Sequence, residues 1–115
     1  MIRDFDRIEH MIDAIAKART SVAGLTKEAF FENDDKKAAA ERYIMIVGEA
    51  ASRLSDEIKS KYPNVPWREA CDMRNFVAHE YMKVDYSLVW DAINRDFLEL
   101  ERWLIEIKSS YPWPL

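Results

Sequence analysis

The residues of this chain best suited to chemistry are an arginine, a histidine and a tyrosine that lie close together at Arg74, His79 and Tyr81. Histidine titrates near neutral pH and can move protons, while a guanidinium stays charged and binds the charge that develops on a phosphate. The set therefore favours phosphoryl chemistry, which would need no metal. On side-chain chemistry alone, a histidine that caps a helix and an arginine at the edge of a core are equally good interpretations.

Other reactive groups in the chain fit a catalytic role poorly. The chain has only two histidines and one cysteine, without the paired spacing of common metal ligands, so we expect no metal and no cofactor. Cys71 lies on an apolar stripe, where thiols are usually inert, and is expected to fill space in the core. His10 is expected on the surface of the first helix.

The helix that carries Arg74 is predicted from its apolar spacing. If it is continuous, one stripe contains Trp67, Cys71, Arg74, Ala78 and Tyr81. Arg74 then interrupts an apolar face and needs an anion, an interface or a cleft. On the same helix His79 and Tyr81 would point about 200° apart, so we predict that the helix ends or bends near Glu80.

Hydrophobic periodicity predicts four long helices and one short helical turn. They span about residues 2–19, 27–31, 34–61, 67–80 and 86–110. The second long helix is apolar on more than one face, which places it centrally. Gly48 within it predicts close approach of a neighbouring helix, and Glu49 is either solvated or the partner of a cation such as Arg74.

Length and composition are those of one all-α domain that spans residues 1–115, an up-and-down bundle of four to five helices. The formal net charge of −4 argues against a broad basic surface for nucleic acid but allows a small phosphate site. An export signal and a membrane-length apolar run are both lacking. With a single cysteine, this predicts a cytoplasmic protein without membrane association.

The pattern R-x-x-x-x-H-x-Y, with Asn75 directly after the arginine, resembles the signature of HEPN-domain ribonucleases and, more closely, of HepT-like toxins. Further matching positions lie on both sides of the motif, so the resemblance covers about residues 40–90. They are Arg42 with Gly48-Glu49-Ala50-Ala51, Tyr62-Pro63 with Pro66-Trp67, and Val84-Asp85 with Val89-Trp90.

This resemblance implies a HEPN-like bundle that dimerises, so that Arg74 and His79 of both subunits line one cleft that cuts RNA without a metal. The ribose 2′-hydroxyl would attack the adjacent phosphodiester, with histidine as general acid or base and arginine stabilising the phosphate. Asn75 would support the site by orienting groups in it. A dimer also supplies two histidines, whereas one chain has a single candidate.

HepT-like toxins are paired with minimal nucleotidyltransferase antitoxins, which in some pairs adenylylate the motif tyrosine and silence the nuclease. By motif position that tyrosine is Tyr81, although an aromatic residue of the core or of an interface is the alternative. The leading hypothesis is thus an RNA endonuclease toxin of a type VII-like toxin-antitoxin system. Two alternatives are a non-catalytic module that binds a nucleotide or the nucleotidyltransferase, and a helical dimer in which Arg74 and His79 are structural.

Overall fold

The computed structural model describes residues 3–78 and 84–114, and within these ranges the chain is helical without a strand. The all-α prediction is confirmed. The helices are α1 (Asp4–Val22), α2 (Lys27–Phe31), α3 (Asp34–Arg53), α4 (Asp56–Lys61), α5 (Trp67–Asp72), α6 (Asn75–Ala78), α7 (Tyr86–Asp91), a π-helical segment (Ala92–Asp96) and α8 (Phe97–Ser110).

The long helices α1, α3 and α8 form the centre of the bundle, with α1 packed on both α3 and α8. Each presents an apolar face with the spacing that the sequence predicts, and α3 has the central position expected for it. The fully buried side chains include Ile8, Met11 and Ile15 of α1, Ile44 and Val47 of α3, and Phe97, Leu100, Leu104 and Ile107 of α8. No helix in the described part of the chain is long and apolar enough to cross a membrane.

One predicted long helix is in fact two, because the chain turns a corner after Arg53. Leu54 is extended, and Ser55 caps the start of α4 by accepting a hydrogen bond from the Ile58 amide at 3.3 Å. The Asp4 carboxylate of α1 accepts a second bond, from the Ser55 amide at 3.0 Å. The prediction of one helix to Lys61 was wrong since this corner depends on a residue far away in the sequence.

The helix that begins at Trp67, as predicted, is also interrupted. The Met73 amide still bonds to the carbonyl four residues back, on Glu69, at 3.0 Å. The amides of Phe76 and Val77 instead bond three residues back, to Met73 at 3.0 Å and to Arg74 at 3.2 Å. This tighter turn separates α5 from α6, so the continuous helix assumed for this stretch does not exist.

The buried stripe lies one position away from the predicted one, already from Ala70 in α5. Trp67, Ala70, Met73 and Val77 are buried, whereas Arg74 is half-buried. Arg74 therefore stands at the edge of the core beside Met73, and the prediction that it interrupts the apolar face itself was wrong.

The last helix is continuous from α7 through the π-helical segment to α8. Asp85 caps it as predicted, accepting hydrogen bonds from the amides of Ser87 at 2.9 Å and Leu88 at 3.3 Å. Val89, Ile93 and Phe97 are all fully buried although they are spaced by four residues, a spacing that drifts around a regular α-helix. The wider turn of the π-helical segment offsets that drift.

Candidate active site

The guanidinium of Arg74 is held by two side chains of α3. Its Nη1 donates to Glu49 Oε1 at 2.9 Å and to Ser52 Oγ at 3.3 Å. Glu49 is therefore the partner of Arg74, one of the two roles that the sequence left open for it. The Arg74 side chain remains 38% exposed, so a ligand can still reach it.

Gly48 explains how Arg74 comes so close to α3. A Cβ atom added at Gly48 would lie 2.8 Å from the Arg74 Cβ and 3.2 Å from the Arg74 backbone nitrogen. Real Cβ atoms do not approach that closely, so the turn between α5 and α6 rests directly on the glycine. The close helix approach predicted at Gly48 is confirmed.

The carboxylate of Glu49 serves two arginines. Its Oε2 lies 3.6 Å from Arg53 Nε, while Oε1 accepts from Arg74. The hydroxyl of Ser52, the second partner of Arg74, donates to the Glu49 backbone carbonyl at 2.8 Å. Glu49, Ser52, Arg53 and Arg74 thus form a connected polar cluster at the surface, which we call the Arg74 cluster.

Sequence reasoning missed Ser52 and Arg53. They follow Glu49 by three and four residues on the same helix, the spacing at which helix side chains meet. That signal was available for Arg53. The contribution of Ser52 depends on where Arg74 docks, which the local pattern does not reveal.

The other residues that the sequence singles out have separate surroundings. Asn75 begins α6 with an exposed side chain, directly after Arg74. Asp72 lies 4.0 Å from Arg68 and is not part of the Arg74 cluster. Cys71 is a half-buried free cysteine that packs against the core, and His10 is exposed on α1, both as expected.

His79, Tyr81 and the bend expected near Glu80 lie outside the described residues. The structure therefore brings together Arg74 and its α3 partners, while the assignments of His79 and Tyr81 stay predictions. Among residues 3–78 and 84–114, no group of three or more potential metal ligands lies together.

The next described residues begin at Val84. Helix α7 starts two residues later, at Tyr86, and is hydrogen-bonded to α3 there. Tyr86 donates its hydroxyl hydrogen to Glu41 Oε2 at 2.7 Å. Burial, with a smaller contribution from this hydrogen bond, raises the pKa of Tyr86 to about 12. Both sides of residues 79–83 are thus anchored on α3, through Arg74 before them and Tyr86 after them.

Comparison with known proteins places this helical bundle among the ribonucleases. The family model described as "Ribonuclease HepT-like" matches residues 11–107. The chain belongs to this HepT-like ribonuclease family, as the motif resemblance predicts.

Relatives from bacteria and archaea carry names of the same kind. The chain is 33% identical over 100 residues to a "Putative RNase" of Caldanaerobacter subterraneus subsp. tengcongensis, covering 87% of this chain and 89% of the relative. It is 33% identical to the "Probable ribonuclease HepT" of Thermococcus cleftensis, over 78% of this chain and 86% of the relative. A "Putative RNase" of Methanocaldococcus jannaschii is 31% identical, covering 85% of this chain and 78% of the relative. No solved structure matches significantly.

Proposed function

We propose that this protein is a metal-independent RNA endonuclease in which Arg74 and His79 of two subunits line one cleft. The observation that supports the proposal is the half-exposed guanidinium of Arg74, oriented by Glu49 and Ser52 and located five residues before His79. A preorganised cation costs little reorganisation when phosphate charge develops, which is what transition-state stabilisation needs.

The reaction follows from the groups at hand. The ribose 2′-hydroxyl attacks the adjacent phosphorus, the bond from phosphorus to the 5′-oxygen breaks, and the products are a 2′,3′-cyclic phosphate and a 5′-hydroxyl. One His79 accepts the proton of the 2′-hydroxyl and the second donates a proton to the leaving oxygen. Arg74 stabilises the crowded phosphate, and Asn75 orients groups around it.

Cleavage of labelled RNA by the purified protein tests this assignment. Removing the acid-base group in His79→Ala or the cation in Arg74→Gln should lower the rate about 100-fold or more, because each is used in the transition state. Arg68→Gln, which removes the same charge from an exposed side chain outside the Arg74 cluster, should cut normally. Full activity of both site variants would disprove the chemistry, and loss of wild-type activity in a chelator would disprove metal independence.

The same variants test the structural alternative. Arg74 and Glu49 are both more than a third exposed, so their ion pair should contribute about 1 kcal/mol or less to the free energy of unfolding. Arg74→Gln should therefore lose activity with nearly unchanged stability in urea. A loss of several kcal/mol without a loss of activity would make Arg74 structural.

We further propose that the protein is the toxin of a type VII-like toxin-antitoxin pair in the cytoplasm, silenced by a minimal nucleotidyltransferase. The hydroxyl of Tyr81 would attack the α-phosphate of ATP, forming a tyrosyl adenylate and releasing pyrophosphate. Co-expression with a nucleotidyltransferase from a neighbouring reading frame should add adenylate to the wild-type chain, detected by mass spectrometry. Tyr81→Phe should stay unmodified and toxic, and an equally modified Tyr81→Phe chain would exclude this site.

A second candidate function is a non-catalytic module that binds a nucleotide or the nucleotidyltransferase. The formal net charge of −4 favours it, because binding along an RNA strand depends on many phosphate contacts whereas a nucleotide needs only a small local site. This reading predicts that the purified dimer binds nucleotide but leaves RNA intact.

A further inference from the structure

A groove of about 380 Å³ lies between α1 and α3, beside the Arg74 cluster. Arg7 and His10 line it from α1, and Arg42 lines it from α3. Glu49 and Arg53, which belong to the Arg74 cluster, also line it, so the groove leads directly to the candidate site.

The charge of this groove is opposite to that of the whole chain. The groove and the adjoining Arg74 together contain four arginines and one carboxylate, Glu49. They therefore carry three net positive charges, on a chain whose formal net charge is −4. Such a local concentration of cations attracts a polyanion even on an acidic protein.

Two of these arginines have their charge uncompensated. Arg42 is exposed and makes no ion pair with any described residue. Arg7 donates to a neutral acceptor, the backbone carbonyl of Arg53, at 3.0 Å. Both remain able to bind phosphate oxygens, whereas Arg53 and Arg74 share the carboxylate of Glu49.

The remaining lining is apolar. Met45 and Ile46 are half-buried and Ala50 is buried, so they form a floor between the charged side chains. An apolar floor flanked by cations suits single-stranded nucleic acid, whose bases and riboses pack on apolar surface while the phosphates meet arginines. A second copy of the chain suits it poorly, because a twofold contact through this groove would oppose arginines with arginines.

We propose that this groove binds the single-stranded segment of RNA next to the phosphate that Arg74 contacts, with Arg7 and Arg42 on its backbone phosphates. The inference rests on the proposed RNA substrate and adds the path that the strand follows along the protein.

The test measures binding of a fluorescent oligonucleotide with 2′-O-methyl riboses, which cannot be cut through a 2′-hydroxyl. Anisotropy titrations over a series of salt concentrations compare wild type with Arg42→Gln, Arg7→Gln and the control Arg102→Gln. Arg102 is exposed on α8 and, like Arg42, makes no ion pair in the described part of the chain, so its loss removes the same charge elsewhere. Arg42→Gln is the principal variant because it breaks no described contact.

Each groove variant should weaken binding about threefold to tenfold. The negative slope of log affinity against log salt should become less steep by about 0.7, as expected for one lost phosphate contact. Arg102→Gln should match wild type. Groove variants that also match wild type would overturn the inference, and so would a changed sedimentation coefficient of Arg42→Gln, which would identify the groove as a contact between subunits.

Cleavage of ordinary RNA by the wild-type protein, measured alongside, separates the two proposals. Binding that depends on these arginines, without cleavage, would support the groove as an RNA-binding site and reject the nuclease activity. Normal cleavage, with binding that does not change in the Arg7 and Arg42 variants, would support the nuclease activity and reject the groove as an RNA-binding site.

Discussion

At the scale of single residues, the candidate site depends on a glycine, Gly48, which has no side chain to keep Arg74 away. Gly48 lets the backbone of Arg74 rest on α3, and from that position its guanidinium bonds to both Glu49 and Ser52. The position of the proposed catalytic cation is thus set by packing of the main chain before any charge is considered.

We predict that Gly48→Ala lowers both stability and RNA cleavage. Alanine would gain about 1 kcal/mol of helix propensity, but its Cβ would meet backbone that cannot yield freely, at a cost of about 1–3 kcal/mol. The expected net result is a loss of about 1 kcal/mol in urea unfolding and a displaced Arg74. Ala38→Gly, exposed on the same helix, calibrates the propensity effect, and a stabilised Gly48→Ala with full activity would refute the packing argument.

At the scale of helices, the start of α7 is fixed to α3 by Tyr86, whose hydroxyl donates to Glu41. Lys27 of α2 adds a second link by donating to Ser87 Oγ at 2.9 Å. These bonds determine where the chain re-enters the bundle after the motif.

This link predicts an alkaline loss of stability. The fold favours the neutral phenol of Tyr86, since its pKa rises from the ordinary value of 10.0 to about 12. The stabilisation is complete below pH 10 and decreases as the pH rises toward 12, because the unfolded chain releases the proton first. Urea unfolding of wild type and Tyr86→Phe should show a difference in free energy that shrinks over this range, and a constant difference would contradict the assignment.

Much of this helical arrangement could be predicted from local pattern. The apolar stripes, the caps at Asn33 and Asp85 and the short helix at Lys27–Phe31 follow from spacing and side-chain chemistry that act within a few residues. The corner at Ser55 and the break at Met73 were missed, and each involves a contact with a residue far away in the sequence: Asp4 bonds to Ser55, and Arg74 rests on Gly48 of α3.

The candidate site was predictable to a similar extent. Arg74 could be singled out by type and spacing, and Glu49 could be offered as its partner. The exact edge position of Arg74 could not be derived, since apolar spacing allowed either Ala70 and Met73 or Cys71 and Arg74 on the buried stripe, and only the docking of α5 on α3 selects the first pair.

At the scale of the whole molecule, the proposed mechanism needs two chains, because each has one candidate histidine at the motif while general acid and general base act on opposite sides of the phosphate. Subunit association then becomes a condition for activity. The Arg74 cluster stands at the bundle surface, where a second subunit has access to it.

We therefore predict that the specific activity per chain falls on dilution, following the fraction of dimer measured by analytical ultracentrifugation at the same concentrations. Mass action dissociates the dimer and leaves each cleft with half of its groups. Constant specific activity at concentrations where the protein sediments as a monomer would show that one chain suffices.

The π-helical segment at Ala92–Asp96 has a consequence for single-residue deletions. A π turn contains one residue more than an α turn, so this helix accommodates an additional residue while keeping Val89 and Phe97 in the core. Asn94 and Arg95 are exposed there. Deletion of either residue should therefore convert the wide turn into an ordinary α-helical one and leave both neighbouring core residues buried.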